Sequence, residues 1–247
     1  MNETWLLALE SSTSHGGAAL LRDGEIVEVA RLEEGLRHGR ELMPAAETLI
    51  SNHSITAQDV AKIGVSIGPG SYTGIRVGVM SAKSFAYASG CEMAVVSSLA
   101  AMALTAQLDG AAEDGNIVVA AQDARRDEVY VAVYRLLSGN VETVIADAAV
   151  APEEVRDLLL ALRDKGETPV LAGSAFATYA SLFDSVGGAT AIGGAVNPGA
   201  VGLLAWRQIL QGKTADPLAV QPVYLRRDGE TDWAHDILIS TGKSGKE

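Results

Sequence analysis

The chain has 247 residues, enough for one large or two modest domains, and its apolar fraction of 48% supplies a sizeable core. A formal net charge of −12, from 19 basic and 31 acidic residues, argues against tight independent binding of nucleic acid. No uncharged apolar run reaches the roughly 18 residues that a membrane helix needs, and nothing at the N-terminus resembles a signal peptide, so we expect a cytoplasmic protein without a membrane partner.

The first hundred residues predict three strands followed by alternating helices and strands. The opening strand spans 5–9, and Asp23-Gly24 between apolar runs at 16–21 and 25–32 is typical of a hairpin. Apolar residues at helical spacing predict helices over 41–53, 75–89 and 97–108, separated by strands over 63–67 and 93–96. This order predicts antiparallel pairing of the first strands and parallel pairing of the later ones.

A glycine-rich turn lies between the strand that starts at Ile63 and the helix that starts at Ile75. Gly68-Pro69-Gly70 at such a junction can direct backbone N–H groups and a helix dipole toward an anion. No Lys follows the last glycine, as a Walker A loop requires. The G-x-G-x-x-x-G spacing is also one residue longer than the dinucleotide fingerprint. The turn therefore does not predict the chemistry of either loop.

The second half of the chain partly repeats the first, beyond an acidic boundary at 109–115. We predict strands over 116–121, 128–136, 141–145 and 170–172, helices over 152–165, 174–183 and 198–210, and a loop over 187–194. Residues 220–225 are expected to end the ordered core. The predicted domains are an N-terminal subdomain (1–108) rejoined by a C-terminal helix (about 198–226), a C-terminal subdomain (116–197) and a partly disordered tail (227–247).

Four segments of the chain together resemble one known family. They are Ala8-Leu-Glu-Ser-Ser-Thr13, Gly68-Pro-Gly-Ser-Tyr-Thr-Gly-Ile-Arg-Val-Gly78, Asp123-Ala-Arg125 with Glu128-Val-Tyr130, and Pro222-Val-Tyr-Leu-Arg226. The chain resembles the bacterial TsaB family, also called YeaZ, from residue 5 to about 226. The resemblance implies an α/β, two-lobed actin-like ATPase (ASKHA, ribonuclease H-like) fold with duplicated mixed-sheet subdomains.

The resemblance also implies a role in tRNA modification. Members of this family are needed to form N6-threonylcarbamoyladenosine at position 37 of tRNAs that read codons starting with A. They are non-catalytic subunits that bind the catalytic paralogue TsaD, together with an ATPase subunit, TsaE, and they form a homodimer when alone. The expected contact with tRNA is through the complex only. No resident cofactor is implied, although ATP can act at the level of the complex.

Residues for nucleotide or metal binding are few. In nucleotide-binding members of the superfamily a first-strand Asp orients Mg²⁺ and phosphates, and here Glu10 stands at that position. The resemblance therefore offers Glu10, Ser11, Ser12, Gly68 and Gly70 as nucleotide-binding candidates. The alternative for Glu10 is an acid at the end of a strand that hydrogen-bonds nearby hydroxyls. The TsaD pattern also has two histidines at i and i+4, whereas here only His38 is present, with Leu42 in place of its partner. We predict no metal site.

The candidate interface lies on the helices over 41–53 and 75–89. Both helices carry more apolar or small residues than one buried face requires, and a small-residue face at Gly74 and Gly78 would let a second helix pair approach to ~8–10 Å. The predicted contact residues are Leu42, Met43, Ala46, Leu49, Ile50, Tyr72, Gly74, Ile75, Gly78 and Val79. The alternative is that these helices are largely buried within the monomer.

Two other functions remain open at this stage. One is an ATP-dependent kinase or hydrolase of the same fold that uses Glu10 and the turn at Gly68. The other is a metallopeptidase-like protein that retains Zn²⁺ or Fe²⁺ through His38. The basic pairs Arg125-Arg126 and Arg226-Arg227, each followed by Asp, are interpreted as solvated turns.

Overall fold

The computed structural model describes residues 3–33, 38–184, 186 and 191–225. The first sheet contains β1 (Trp5–Glu10), β2 (Gly17–Arg22), β3 (Glu25–Arg31), β4 (Val60–Ser66) and β5 (Glu92–Val96). The second sheet contains β6 (Ile117–Arg125), β7 (Glu128–Leu137), β8 (Asn140–Val150), β9 (Val170–Ala172) and β10 (Ala191–Ile192). The helices are α1 (His38–Asn52), α2 (Tyr72–Ser89), α3 (Ser98–Leu108), α4 (Pro152–Asp164), α5 (Ala175–Thr178), α6 (Ala180–Phe183) and α7 (Pro198–Leu210).

The two sheets have the same topology. The first has the strand order β3-β2-β1-β4-β5, in which β1 is antiparallel to β2 and parallel to β4. The second has the order β10-β9-β6-β7-β8, in which β6 is antiparallel to β7 and parallel to β9. Each sheet is thus a three-stranded meander extended by two parallel strands. The predicted two-lobed fold with duplicated mixed sheets is confirmed.

Alternation of side chains along the strands places helices on both faces of each sheet. On one face of the first sheet, Leu7 and Leu9 pack with residues of α1 and α2. On the other face, Leu6 and Ala8 pack with α7. Helix α3 packs against α7 and against the second sheet, where Val118 and Ala120 belong to the same core. The remaining face of the second sheet is covered by α4, α5 and α6. Helices α3 and α7 therefore form a shared layer between the two sheets.

Three predictions for the second half need correction. Strand β8 runs over Asn140–Val150 rather than 141–145, because it pairs with β7 along most of its length. The helix predicted over 174–183 is broken at Tyr179, whose φ of −112° and ψ of 34° leave the helical region. Part of the predicted loop forms β10, which pairs with β9, while residues 187–190 lie outside the described residues.

The helix predicted over 198–210 is confirmed as α7, whereas the C-terminal helix of about 198–226 in the predicted domain division is too long, since α7 ends at Leu210. Helix α7 packs on the first sheet, and after it the chain returns around that sheet toward α2. We call residues 214–225 the strap. The Ala215 N–H donates to the Met93 carbonyl and the Val223 N–H to the Ile67 carbonyl, both at 2.8 Å. The predicted tail over 227–247 lies outside the described residues. Within the described part, no helix is long and apolar enough to cross a membrane.

Candidate functional site

The glycine turn connects β4 to α2, as its sequence predicts. The Ser71 hydroxyl caps α2 by accepting the Gly74 N–H at 3.2 Å, and the Ser71 N–H donates to the Ser12 carbonyl at 2.8 Å. A Cβ at Gly70, where φ is +156°, would overlap that same carbonyl. The turn therefore needs glycine where it meets the loop after β1.

A cleft of about 1050 Å³ opens where the loops of the two lobes face each other. Its first wall is formed by the loop after β1 and by the glycine turn, and its second by the β6–β7 hairpin and the loops around Gly173 and Gly194. Two of the five predicted nucleotide-binding residues, Ser12 and Gly70, line this cleft.

The other three predicted nucleotide-binding residues lie beneath the cleft surface. Glu10 is 0% exposed, and its Oε1 accepts both the N–H and the hydroxyl of Ser12 at 2.6 Å. Ser11 is buried and donates to the Gly74 carbonyl at 2.8 Å, while Gly68 packs against the carbonyl of Val223. The interpretation of Glu10 as an acid that hydrogen-bonds neighbouring hydroxyls describes its geometry best.

Burial also affects the ionisation of the Glu10 carboxyl. Desolvation raises the pKa of its carboxyl, and the hydrogen bonds from Ser12 oppose this shift only in part. Its Oε2 has no hydrogen-bond partner among the described residues. A carboxyl that is removed from water in this way is stabilised in its neutral form.

The second wall contributes charged residues that the sequence interpretation missed. Arg125 and Asp123 line the cleft, and the Arg125 N–H donates to Asp123 Oδ1 at 2.8 Å. The Asp123 N–H in turn donates to the Ser174 hydroxyl at 3.1 Å, which joins the hairpin to the loop after β9. The pair Arg125-Arg126 was interpreted as a solvated turn. Both arginines are exposed at this turn, and Arg125 in addition lines the cleft, which no local signal in the sequence indicated.

The residues in the cleft do not fit a magnesium nucleotide well. Mg²⁺ is usually bound through one or two carboxylates in addition to the phosphates. Glu10 is buried beneath the cleft surface, and Asp123 is the one carboxylate among the described residues that line the cleft. Asp123 already accepts a hydrogen bond from its own hairpin. We therefore derive no catalytic step through a nucleotide at this site.

No group of three His, Cys, Asp or Glu residues in the described ranges is arranged to hold a metal ion. The side chain of His38, on which the metallopeptidase-like alternative depends, lies outside the described residues. The metallopeptidase-like alternative therefore stays an untested hypothesis.

The pH dependence of stability should reveal the raised pKa of the Glu10 carboxyl. Above the ordinary carboxyl pKa of about 4.3, the unfolded chain loses this proton while the folded chain keeps it. Glu10 therefore lowers the free energy of unfolding by up to about 1.4 kcal/mol per pH unit until the folded carboxyl ionises. Since Gln does not titrate, we expect the stability of Glu10→Gln relative to wild type to rise with pH. Urea unfolding between pH 5 and pH 8 measures this difference, and a difference that stays constant would contradict a raised pKa of Glu10.

The structure corrects most of the predicted interface residues. Eight of the ten are buried within the monomer: Leu42, Ala46, Leu49, Ile50, Gly74, Ile75, Gly78 and Val79. They pack against the first sheet and its loops because α1 and α2 cover that face of the sheet. A side chain buried in the monomer offers no surface to a partner. Only Met43, which is half-buried, and Tyr72, which is exposed, remain available.

The small-residue face of α2 likewise has a different role from the predicted one. A Cβ at Gly74 would overlap the carbonyl oxygen of Ser11, and a Cβ at Gly78 would overlap the Ser11 hydroxyl. The close approach that these glycines permit is therefore to the end of β1 in the same lobe, and not to a second helix pair.

The outer face of α2 is the second candidate site. Tyr72, Met80 and Tyr87 are 55%, 57% and 77% exposed, and their spacing places them on one side of the helix. The strap lies on one flank of this side, where Lys83 Nζ donates to the Val220 carbonyl at 2.8 Å. Helix α1 lies on the other flank, where Gly39 faces Val77. We call the surface formed by Tyr72, Arg76, Met80 and Tyr87 the α2 face.

The duplicated mixed sheets and the cleft between their lobes define a protein of the two-lobed α/β class. A solved structure described as YeaZ from Pseudomonas aeruginosa superposes with a TM-score of 0.79 and 27% identity, covering 90% of this chain and 100% of that chain. The family model TsaD, tRNA N6-adenosine threonylcarbamoyltransferase, matches residues 34–192.

Two relatives identify the family more closely. The tRNA threonylcarbamoyladenosine biosynthesis protein TsaB of Bacillus subtilis is 35% identical over 166 residues, which cover 67% of this chain and 69% of the relative. The protein of the same name from Escherichia coli is 30% identical over 230 residues, which cover 90% of this chain and 95% of the relative. The chain belongs to the TsaB (YeaZ) family.

Proposed function

We propose that this protein is a non-catalytic subunit of the machinery that forms N6-threonylcarbamoyladenosine at position 37 of tRNAs reading codons that start with A. In this role it binds a TsaD-type catalytic paralogue through the α2 face and holds it in a productive arrangement. Its contribution is then a coupling free energy, because binding that favours one state of the catalytic subunit stabilises that state.

The observation that carries this proposal is the α2 face. Large apolar side chains on a helix are normally turned toward the core, yet α2 exposes Tyr72, Met80 and Tyr87 on one side. Exposed apolar side chains that cluster on one surface are typical of an interaction site. Tyr, Met and Arg are also among the residues enriched in protein interfaces. The match of this chain to the TsaD family model supports a paralogue of similar fold as the partner.

The geometry of the cleft supports the non-catalytic part of the proposal. The acid at the end of β1 is buried beneath the cleft surface, so it is not presented to a phosphate or a metal ion. We propose that any ATP chemistry belongs to the complex, through the TsaD-type subunit and a TsaE-like ATPase. Contact with tRNA is through the complex, since the chain itself carries a net charge of −12. In the absence of these partners the α2 face is proposed to support a homodimer.

A charge on the α2 face should separate binding from folding. Met80→Glu places a carboxylate at the centre of the proposed interface, where desolvation of an unpaired charge is costly. We expect the affinity for the TsaD-type subunit of the same organism to fall by about 30-fold or more. The unfolding temperature should change little because Met80 is exposed. Isothermal titration calorimetry measures the affinity, and a thermal melt measures the stability.

The matched control for this experiment is Leu210→Glu. Leu210 is also an exposed apolar residue of a helix, at 68%, but α7 covers the opposite face of the first sheet. The control should bind like wild type. Equal affinities of wild type and Met80→Glu would contradict the α2 face as the binding surface.

A further inference from the structure

Arg76 is held in a fixed orientation on the α2 face. Its Nε donates to the Tyr224 hydroxyl at 2.8 Å, and its guanidinium carbon lies 4.1 Å from the centroid of the Tyr72 ring. The ring of Tyr224 lies 5.8 Å from the same carbon, and the two rings are 5.0 Å apart. Two aromatic rings and one hydrogen bond therefore orient an exposed arginine.

The strap supplies half of this arrangement from a distant part of the sequence. Tyr224 follows Val223, whose N–H donates to the Ile67 carbonyl beside the glycine turn. Further back along the strap, Lys83 of α2 donates to the carbonyls of Leu218 and Val220. These contacts fix both ends of the segment that crosses α2. These hydrogen bonds therefore hold Tyr224 in place on the α2 face.

Arg76 is an oriented arginine without a carboxylate partner among the described residues. Several arginines of the described residues form ion pairs with carboxylates: Arg22, Arg31, Arg135, Arg156 and Arg163. No such pair includes Arg76 within the described ranges, although the chain has 31 acidic residues. A guanidinium presents its donors as a planar fork that matches a carboxylate. The guanidinium N–H donors of Arg76 are therefore oriented, but no carboxylate of the described residues pairs with them.

We infer that Arg76 binds a carboxylate side chain of the partner protein at the α2 face. This inference rests on the proposed function and names the chemistry of the partner at that site. The arginine is already oriented in the free protein, so less conformational entropy is lost when the carboxylate binds. Tyr72 and Tyr224 are exposed beside Arg76 in the free protein, so a partner that covers these rings would also shield the ion pair from water, as is typical of an interface hot spot.

A protein carboxylate fits this site better than a nucleic acid does. A stacked arginine between aromatic rings can also receive a base or a phosphate. The chain as a whole, however, has a net charge of −12, which repels a polyanion over much of its surface. The apolar residues Met80 and Tyr87 continue the same face and suit a folded protein surface. Binding of tRNA by Arg76 would therefore overturn the inference.

The test compares Arg76 variants in binding to the TsaD-type subunit. Arg76→Ala should weaken the affinity by on the order of 10- to 100-fold. Arg76→Lys keeps the charge but loses the planar fork, and should fall between Ala and wild type. Tyr224→Phe removes only the hydroxyl that accepts from Nε and should weaken binding by a few-fold. The control Arg156→Ala, which removes a charge on α4 of the second lobe, should bind within about twofold of wild type.

Charge reversal then identifies the partner residue. Arg76→Glu should abolish binding, and one acidic residue of the catalytic subunit, changed to Arg, should restore it at least in part. Arg76 is exposed, so thermal melts of the variants should match wild type. If one variant unfolds, Tyr224→Phe and Arg76→Lys still test the contact.

Four results would overturn the inference, and they can be told apart. Wild-type affinity of Arg76→Ala for the catalytic subunit would remove the contact while leaving the proposed function intact. Failure of wild type itself to bind that subunit would overturn the proposed function together with the inference. Loss of homodimerisation or of tRNA binding in Arg76→Ala, with unchanged affinity for the subunit, would assign Arg76 to a second copy or to RNA instead.

Discussion

The variant Val79→Glu is expected to lose its folded structure at neutral pH. Val79 is 1% exposed and lies on the buried face of α2, against the first sheet. A glutamate there must either bury a charge without a partner or take up a proton, and each option costs several kcal/mol. We expect a loss of about 4 kcal/mol or more, which is most of the stability of a typical domain. Circular dichroism and urea unfolding at pH 7 measure this loss.

The neighbouring position supplies the matched control. Met80→Glu introduces the same carboxylate one residue further along α2, at a side chain that is 57% exposed. Glu is a better helix former than Val, so helix propensity would favour the substitution at position 79. A difference between the two variants therefore reports burial alone. If Val79→Glu unfolded at the same urea concentration as wild type and lost only its partner, Val79 would be an interface residue and the description of α2 would be incorrect.

Replacement of Gly74 by alanine is expected to destabilise the fold by about 2–3 kcal/mol. Alanine is favoured over glycine inside a helix by roughly 1 kcal/mol, which predicts a gain if the helix alone matters. The added methyl group, however, would overlap the backbone carbonyl of Ser11. A backbone atom cannot rotate away as a flexible side chain can, so α2 and the end of β1 would have to separate. The free energy of unfolding measures the net effect.

Gly39→Ala in α1 is the control for this substitution. The nearest heavy atom to a Cβ at Gly39 is Val77 Cγ2 at 3.9 Å, an ordinary van der Waals contact. That variant should be as stable as wild type or more so. A gain in stability for Gly74→Ala similar to that of Gly39→Ala would show that the end of β1 does not pack as closely against α2 as the structure indicates.

The fold was predictable from sequence because its signals are local. The turn at Asp23-Gly24 requires two residues with positive φ, and the structure gives 52° and 86°. The turn at Gly68 likewise lies between a segment whose apolar residues indicate a strand and a segment whose apolar residues have helical spacing. The direction of strand pairing followed from the sequence of elements, since a meander pairs antiparallel and a helical crossover gives parallel strands. These rules hold in each lobe, so the duplication was visible as a pattern.

The exposed residues of α1 and α2 were not predictable in the same way. Apolar residues occupy most sides of α2, so its composition does not tell which side meets the sheet. The residues chosen for the interface, such as Ile75 and Val79, proved to be core, whereas Met80 and Tyr87 are exposed. The small residues Gly74 and Gly78 also have two interpretations, and only the position of Ser11 decides between them.

Long-range contacts account for the rest of what the sequence did not show. The strap brings Tyr224 to Arg76, which lies 148 residues earlier in the chain. The β6–β7 hairpin brings Arg125 into the cleft opposite the loop after β1. Neither contact leaves a periodic pattern in the sequence, because each depends on how the two lobes and the C-terminal segment pack together. Burial of Glu10 is of the same kind, since residues from several elements enclose it.

The central claim is that the α2 face couples this protein to the formation of N6-threonylcarbamoyladenosine. The most direct measurement is mass spectrometry of nucleosides from total tRNA in cells depleted of this protein and supplied with wild type, Met80→Glu or Leu210→Glu. We predict loss of this nucleoside, with other modifications intact, on depletion. Wild type and Leu210→Glu should restore it and Met80→Glu should not. Normal levels after depletion would contradict the proposed function, and full restoration by Met80→Glu would contradict the role of the α2 face.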